Sequence, residues 1–569
     1  GYTISGLTID RPATDKVGLF GVVVHAVVAD VRFENASIVG RNDAGTLVGE
    51  GEMSTVTDVA VAGTVTGADR VGGVVGHLES YSQVVDTSAA VTVRGEDRVG
   101  GLVGRAGESN LVRNASASGS VTGEGEVGGL VGANWRASVV IDATATGRVT
   151  GVVSVGGLVG ENIGSGQPAT DIAFRNAVVM RSSATGDVIG GRSAGGLVGE
   201  NRYGTVIDSS ATGDVVATRD SGNAGGLVGN SYSGLVTGSV ATGRVTAPGS
   251  SAIAGGLVGE QTYTSVVRSA ATGRAAGNEA GGLVGMSSDQ SLISRSYATG
   301  RVTGDLVAGG LVGENQASRT SRSYATGPVV SARLAGGLVG ANIVDSDIAG
   351  SYWDVETSGQ TVGVGGQDGT GNGTGLSMAR MTGPAARDEM AALEFPAEWR
   401  ATETYPVLAW QVDREPGTVE GVLAQGDGET AGTPQEPGTP TETPDSAGTV
   451  DDAPAELAAM AGTGTLADPY RITDVSELQA MAADLSARQG WITTADRDRA
   501  IRLIASARLP GRAPAGMTPE DFLRLMAVDK KNVDGSLRLV VLRSLGEAVV
   551  TGEADLRCLG ETLTAYCSG

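Results

Sequence analysis

The chain of 569 residues holds two cysteines, two histidines and 4% aromatic residues. Both cysteines, Cys558 and Cys567, fall in the last dozen positions, so everything before them must fold without disulfides and carries no mark of a redox compartment. His25 and His77 alone nearly exclude histidine-based zinc sites and Ser-His or Cys-His nucleophile pairs, so no metal and no cofactor is expected. No stretch approaches the ~20 apolar residues a membrane-spanning helix needs, and membrane insertion of this chain is not expected. Basic residues are outnumbered, 41 Lys+Arg against 64 Asp+Glu, for a net charge of −23. Such a field repels nucleic acid and anionic membranes and suits a solvated acidic coat. The first residue is Gly1 and not Met, as in a processed chain or a fragment, so a missing leader is uninformative.

Glycine, by contrast, is abundant, with 91 residues. The string Gly-Gly-Leu-Val-Gly stands at Gly100 and again from Gly128, Gly156, Gly195, Gly225, Gly255, Gly281, Gly309 and Gly336. Looser copies begin at Val17, Gly45 and Gly72, and successive starts lie 26 to 30 residues apart except for one step of 39. Self-similarity at this period marks a stacked array in which no unit buries its apolar face alone.

A full copy, Ala308 to Leu334, divides into three short extended pieces separated by Gly, Asn and Ser turns. That reads as one coil of an all-β parallel solenoid, repeated about twelve times at ~28 residues per coil and rising ~4.8 Å each. Leu-Val supplies one apolar wall. Pieces such as Val206-Ile207 and Leu292-Ile293 supply a second, and residues after Ala-Thr-Gly, such as Val188 and Val302, a third. The structural glycines are Gly101, Gly104, Gly129, Gly132, Gly157, Gly160, Gly196, Gly199, Gly226, Gly229, Gly256, Gly259, Gly282, Gly285, Gly310, Gly313, Gly337 and Gly340. They are expected where a coil turns with positive φ or where backbones approach closely. The long step holds an insertion around Gly164–Asp171, read as a loop bulging from one coil. Acidic residues near the turns (Asp187, Asp214, Glu200, Glu260, Glu314) lack a calcium-motif spacing and read as a solvated face.

These residues resemble the GLUG motif, named for Gly-Leu-any-Gly, of microbial surface proteins and large adhesins. The likeness covers residues 1–412. It includes the leading piece Gly1–Ile9 and the usual exit, Ser351-Tyr352-Trp353-Asp354, then Trp399 and Tyr405–Trp410. Tyr352, Trp353, Trp399 and Trp410 are expected to cap the open end of the last coil. Residues 1–350 would then be the solenoid and 351–412 its cap. Some IgA-cleaving metalloproteases also carry such repeats, but the His-Glu-x-x-His helix they need is absent from this sequence.

Residues 413–457 turn rich in Pro, Thr, Glu and Gly, a composition unable to bury enough apolar surface, and read as a disordered acidic linker. Residues 458–485 resemble the segment that starts a GLUG array, but no second array follows. Residues 486–569 become helical in pattern and carry 12 Lys+Arg against 10 Asp+Glu, so the acidic excess lies before them. Here MAADLSARQGW (481–491) and MTPEDFLRLMAVDKKNVDGSLRLVVLRSLGEAVVT (517–551) resemble the carboxy-terminal end of 3-dehydroquinate synthase.

That resemblance implies substrate-phosphate binding by Lys530 or Lys531, and NAD and a divalent metal in a complete enzyme. No dinucleotide fold is legible in residues 1–480, and neither histidine lies in the tail, so this fragment is expected to be inactive. MAADL (481–485) fits both patterns. It marks a join of two unrelated coding sequences, made by recombination or by the joining of sequence reads. The combined reading is an extracellular or cell-surface rod with glycans or proteins as partners and lateral self-association as a further contact. Contacts repeated along it would sum by multivalency. A synthase-related fusion is the alternative.

Overall fold

The computed structural model describes residues 2–166 and 176–412, then 484–489, 491–495, 497–498, 539–544, 547–551, 558 and 562. The expected linker, nearly all of 458–485, most of the insertion, Lys530 and Lys531 lie outside them. The chain divides into two units, Gly1–Ala431 and Gly432–Gly569.

Strands too short to fold alone make up the first unit, and each is stabilised by the equivalent strand one coil away. In one coil, Val198–Arg202 joins a first sheet, Thr205–Ile207 a second, and Ser210–Ala211, Val215–Ala217 and Asn223–Gly225 a third. Among the described residues these sheets hold 13, 12 and 31 strands. Pairing is parallel and in phase, so Val198 faces Val228, which faces Val258. The result is a parallel β-solenoid of thirteen turns. The thirteenth, Val364–Gln367, keeps Val364 opposite Val339 although it lacks Leu-Val-Gly. Tyr352–Asp354 and Thr374–Leu376 also continue the third sheet. The ladder therefore runs beyond residue 350, because backbone pairing and not the motif sets its extent.

Inside, Leu102, Leu130, Leu158, Leu197 and Leu227 are fully buried, as are the valines that follow them. Each such side chain contributes about 2 kcal/mol on burial. Polar ladders share this interior. Asn134 Nδ2 donates to Asn162 Oδ1 at 2.8 Å, and Asn162 Nδ2 to Asn201 Oδ1 at 2.8 Å. A serine column from Ser182 to Ser351 caps turns: the amide of Ser269 donates to Ser296 Oγ at 3.1 Å, and that of Ser296 to Ser323 Oγ at 3.1 Å.

The repeat glycines do not turn the chain. None of the eighteen has positive φ. A Cβ on Gly101 would instead strike the carbonyl oxygen of Gly129, one on Gly129 that of Gly157, and so on to Gly310 against Gly337. The third glycine of each motif faces the other way: a Cβ on Gly160 would lie 2.5 Å from the carbonyl oxygen of Gly132. Both therefore serve close backbone approach alone. The left-handed turns fall to other residues, such as Asp58, Asp86, Asn114, Asp142, Asp208, Arg268, Arg295 and Arg322. Asp and Asn visit this region at low cost, so these corners do not announce themselves as glycines.

The cap differs from its expected form. Only Trp353 continues an interior column: it pairs with Ala325, is 5% exposed and packs into the main core. Tyr352, Trp399 and Trp410 lie instead along the flank, because the chain folds back over the outer face of the third sheet. Trp399 is fully buried beside Tyr297 and Tyr324, whose rings stack at 5.1 Å and 4°. Tyr352 pairs with Tyr324, and its hydroxyl accepts from the amide of Ala392 at 3.2 Å. Trp410 Nε1 donates to the carbonyl of Arg268 at 3.0 Å. The left-handed arginines hold this flap: Arg268 is bidentate to Glu398 at 2.7 Å, and Arg295 donates to Glu394 at 3.0 Å.

In the second unit, strands Leu539–Ser544 and Glu547–Thr551 pair antiparallel. Around Asp484, Arg488 donates at 2.6 Å and Thr562 Oγ1 at 3.3 Å, and the buried Cys558 thiol donates to the carbonyl of Arg488 at 3.8 Å.

Candidate functional site

Where the third sheet passes into the first, the motif glycines put no side chains on the corner, and two polar columns come to flank it. One column is the outward position two residues after the motif valine: Glu50 faces His77, which faces Arg105. Farther along, Glu161 faces Glu200, then Asn230, then Glu260. The other column precedes the buried valine or alanine of the third sheet and includes Asp43, Arg70, Arg98, Glu126, Ser154, Ser193 and Asn223. The third glycine brings the columns together, since a Cβ on Gly160 would also press on the backbone amide of Val127, beside Glu126.

Ion pairs knit the first coils. Arg70 grips Asp43, with Nη2 to Oδ2 at 3.0 Å, and reaches Asp69 at 2.6 Å. Arg98 reaches Asp97 at 2.7 Å and Asp69 at 3.1 Å. The Arg105 guanidinium lies 4.1 Å from the centre of the Trp135 ring. Across the corner, Ser154 Oγ donates to Glu200 Oε2 at 3.1 Å, and Asn223 Nδ2 to Glu260 Oε2 at 2.5 Å.

This setting displaces several titrations. Burial pushes the Glu126 carboxyl up to about 8, helped by the hydrogen bond it shares with Asp97 and by that residue's charge. Burial and neighbouring Glu200 lift Glu161 to about 7. Burial, assisted by the Arg105 charge, lowers His77 to about 4. A neutral carboxyl beside ionised ones and a neutral imidazole can donate, accept or ligate at ordinary pH. Asp97 with Glu126, and Glu161 with Glu200, are thus carboxylate pairs among the coils, which the sequence spacing did not reveal. Glu200, Glu260 and Glu314 are half-buried in this groove and do not belong to the solvated face expected of them; Asp187 is partly exposed and Asp214 exposed.

One strand edge away, Tyr203, Tyr232 and Tyr263 follow one another with ring centroids 5.5 and 5.8 Å apart, each pair edge-to-face. Tyr232 is 38% and Tyr263 48% exposed. Tyr232 is two residues after Asn230 on one strand, so both point outward from the same face.

A family model described as the GLUG motif matches residues 123–150 and 190–216. Both stretches are GLUG repeats. They contain the glycine corners at Gly129 and Gly196, so GLUG is, in physical terms, a code for backbone approach. A separate likeness covers a short stretch of the chain. It is 51% identical over 89 residues to 3-dehydroquinate synthase of Teredinibacter turnerae, covering 16% of this chain and 25% of that protein. Over 83 residues it is 55% identical to 3-dehydroquinate synthase of Pseudomonas aeruginosa, 15% of this chain and 23% of that protein. The synthase of Pseudomonas savastanoi pv. phaseolicola matches at 53% over 85 residues, 15% and 23% of the two chains. The chain spans about a quarter of the length of these curated relatives. Both resemblances read from the sequence are thereby found, the GLUG repeat and the partial synthase.

Proposed function

We propose that the GLUG solenoid is an adhesive or structural rod, extracellular or displayed on a cell surface, that binds glycans or proteins by many weak contacts. The observation that carries this reading is the run of half-buried Tyr203 and exposed Tyr232 and Tyr263 beside Glu200, Asn230 and Glu260. Aromatic rings on three successive coils, with half-buried carboxylates on the first and third, offer a chain-like ligand repeated handholds. No cofactor enters this role. Lateral association of rods would use the same repetition. Glycan and protein arrays probed with the whole chain test it. Retention should fall at least tenfold when Tyr232 and Tyr263 are both changed to alanine, with the far-ultraviolet spectrum unaltered. Retention unchanged in that variant would remove the tyrosine run from the account.

The second reading, a synthase-related fusion, is favoured by the 51% identity over 89 residues. Lys530 or Lys531 would hold substrate phosphate there, and NAD and a divalent metal would be required from outside the matched stretch. We propose that the chain alone does not turn over. NAD-dependent conversion of the heptulosonate phosphate substrate by the purified chain would reverse that proposal.

A further inference from the structure

Among the described residues, one group of metal-ligating side chains converges: atoms of Asp43, Glu50 and His77 all lie within 4.8 Å of one another. Asp43 and Glu50 flank the glycine corner of one coil, and His77 faces Glu50 from the next. The His77 side chain is 5% exposed, and its Nε2 is buried without a partner. Its Nδ1 stands 3.6 Å from Asp43 Oδ1, 3.9 Å from Glu50 Oε2 and 3.8 Å from Glu79 Oε1, too far for hydrogen bonds. A buried imidazole ringed by carboxylates with no hydrogen bond to any of them calls for a further occupant.

We propose that Asp43, Glu50 and His77 bind a divalent cation of the zinc class, with Glu79 or water completing the shell. Two metal–ligand bonds of about 2.1 Å meeting at a near-tetrahedral angle place their ligand atoms roughly 3.4 Å apart. The separations of 3.6 and 3.9 Å approach that spacing. One imidazole nitrogen with carboxylate oxygens suits a borderline ion better than the all-oxygen shells of calcium or magnesium.

The neighbouring cations act as orienting partners. Lys16 holds Glu50 Oε1 at 2.9 Å and leaves Oε2 toward His77. Arg70 takes one lone pair on each oxygen of Asp43, and each oxygen has a second. Arg105, Arg70 and Arg98 oppose positive charge at His77, whereas Asp43 favours it. Glu79, 49% exposed, marks the solvent side from which an ion would enter.

The whole chain has only two histidines, so His25→Asn leaves a single imidazole to observe. In that protein, one equivalent of zinc should shift the imidazole nitrogen resonances, and calorimetry should give one tight site. His77→Gln and Glu50→Gln should each weaken zinc affinity at least tenfold, with the strand signal intact. Resonances unmoved at saturating zinc would overturn the proposal. So would an affinity that His77→Gln leaves unchanged, which would assign the binding to exposed acids.

Discussion

Trp353 lies across Gly337: a Cβ on that glycine would strike the indole, at the place where each coil from Gly101 to Gly310 offers an alanine methyl. Gly310 meets Ala325 there at 3.0 Å, and Gly282 meets Ala298 at 2.9 Å. The last link of an otherwise uniform column is thus exchanged for the largest side chain available, and the interior ends in an indole. Trp353→Ala should cost about 3–5 kcal/mol and speed amide exchange first in Val339–Ile343. Trp399→Ala should cost a similar amount but loosen the flap over Tyr297 and Tyr324, leaving the terminal coil protected. Site-resolved hydrogen exchange separates the two.

The close approach at the second motif glycine gives a sharp substitution test. Gly226→Ala must displace the Gly256 carbonyl and the Ala241 methyl. A cost of roughly 2–4 kcal/mol is expected, in the range of overpacking with backbone shift. Gly359, left-handed at the helix end with open space around it, should cost only about 1 kcal/mol on the same change. Urea unfolding of the two variants ranks them.

Buried amides form a third test. Asn162 donates to Asn201 and accepts from Asn134. Asn162→Leu leaves both neighbours short of a partner, so a loss of about 2–4 kcal/mol is expected from two unsatisfied groups. Replacing the exposed Asn372, whose φ is not left-handed, by leucine should change thermal stability far less.

Acidity acts in two opposed windows. Glu126 and Glu161 titrate at about 8 and 7 in the fold, above the ordinary carboxylate value of 4.5. The folded state therefore holds protons that the unfolded chain has released, and these groups lose stability as pH rises from about 4.5 to 8. His77, lowered from 6.5 to about 4, stays neutral in the fold while the unfolded chain protonates, so its contribution is lost as pH falls through that window. Glu126→Gln and Glu161→Gln should raise the melting temperature at pH 8 and flatten its decline from pH 6. A decline unchanged in both variants would place its origin elsewhere.

The period was legible because Leu102, Val103 and their successors must all point inward, and a motif of five residues repeats with them. The site was not, because its neighbours are set by register. Asp43, Glu50 and His77 stand 7 and 27 residues apart and meet only when coils stack with a motif glycine between them. Asn134, Asn162 and Asn201 likewise look like turn residues until stacking aligns them in the interior. Trp399 was expected over the open end of the last coil and lies instead on the flank, because the surface it covers is created by Tyr297 and Tyr324 on neighbouring coils. One further signal was available: asparagine recurs at the fourth position of Val-Gly-x-Asn, where a strand face turns inward.

The rod reading is tested most directly by passing the purified whole chain over glycan and protein arrays printed at graded ligand density, with substrate and product followed in parallel. The account predicts retention that rises more steeply than ligand density, as repeated weak contacts require, and no turnover. Retention strictly proportional to density, or NAD-dependent consumption of the heptulosonate phosphate, would contradict it.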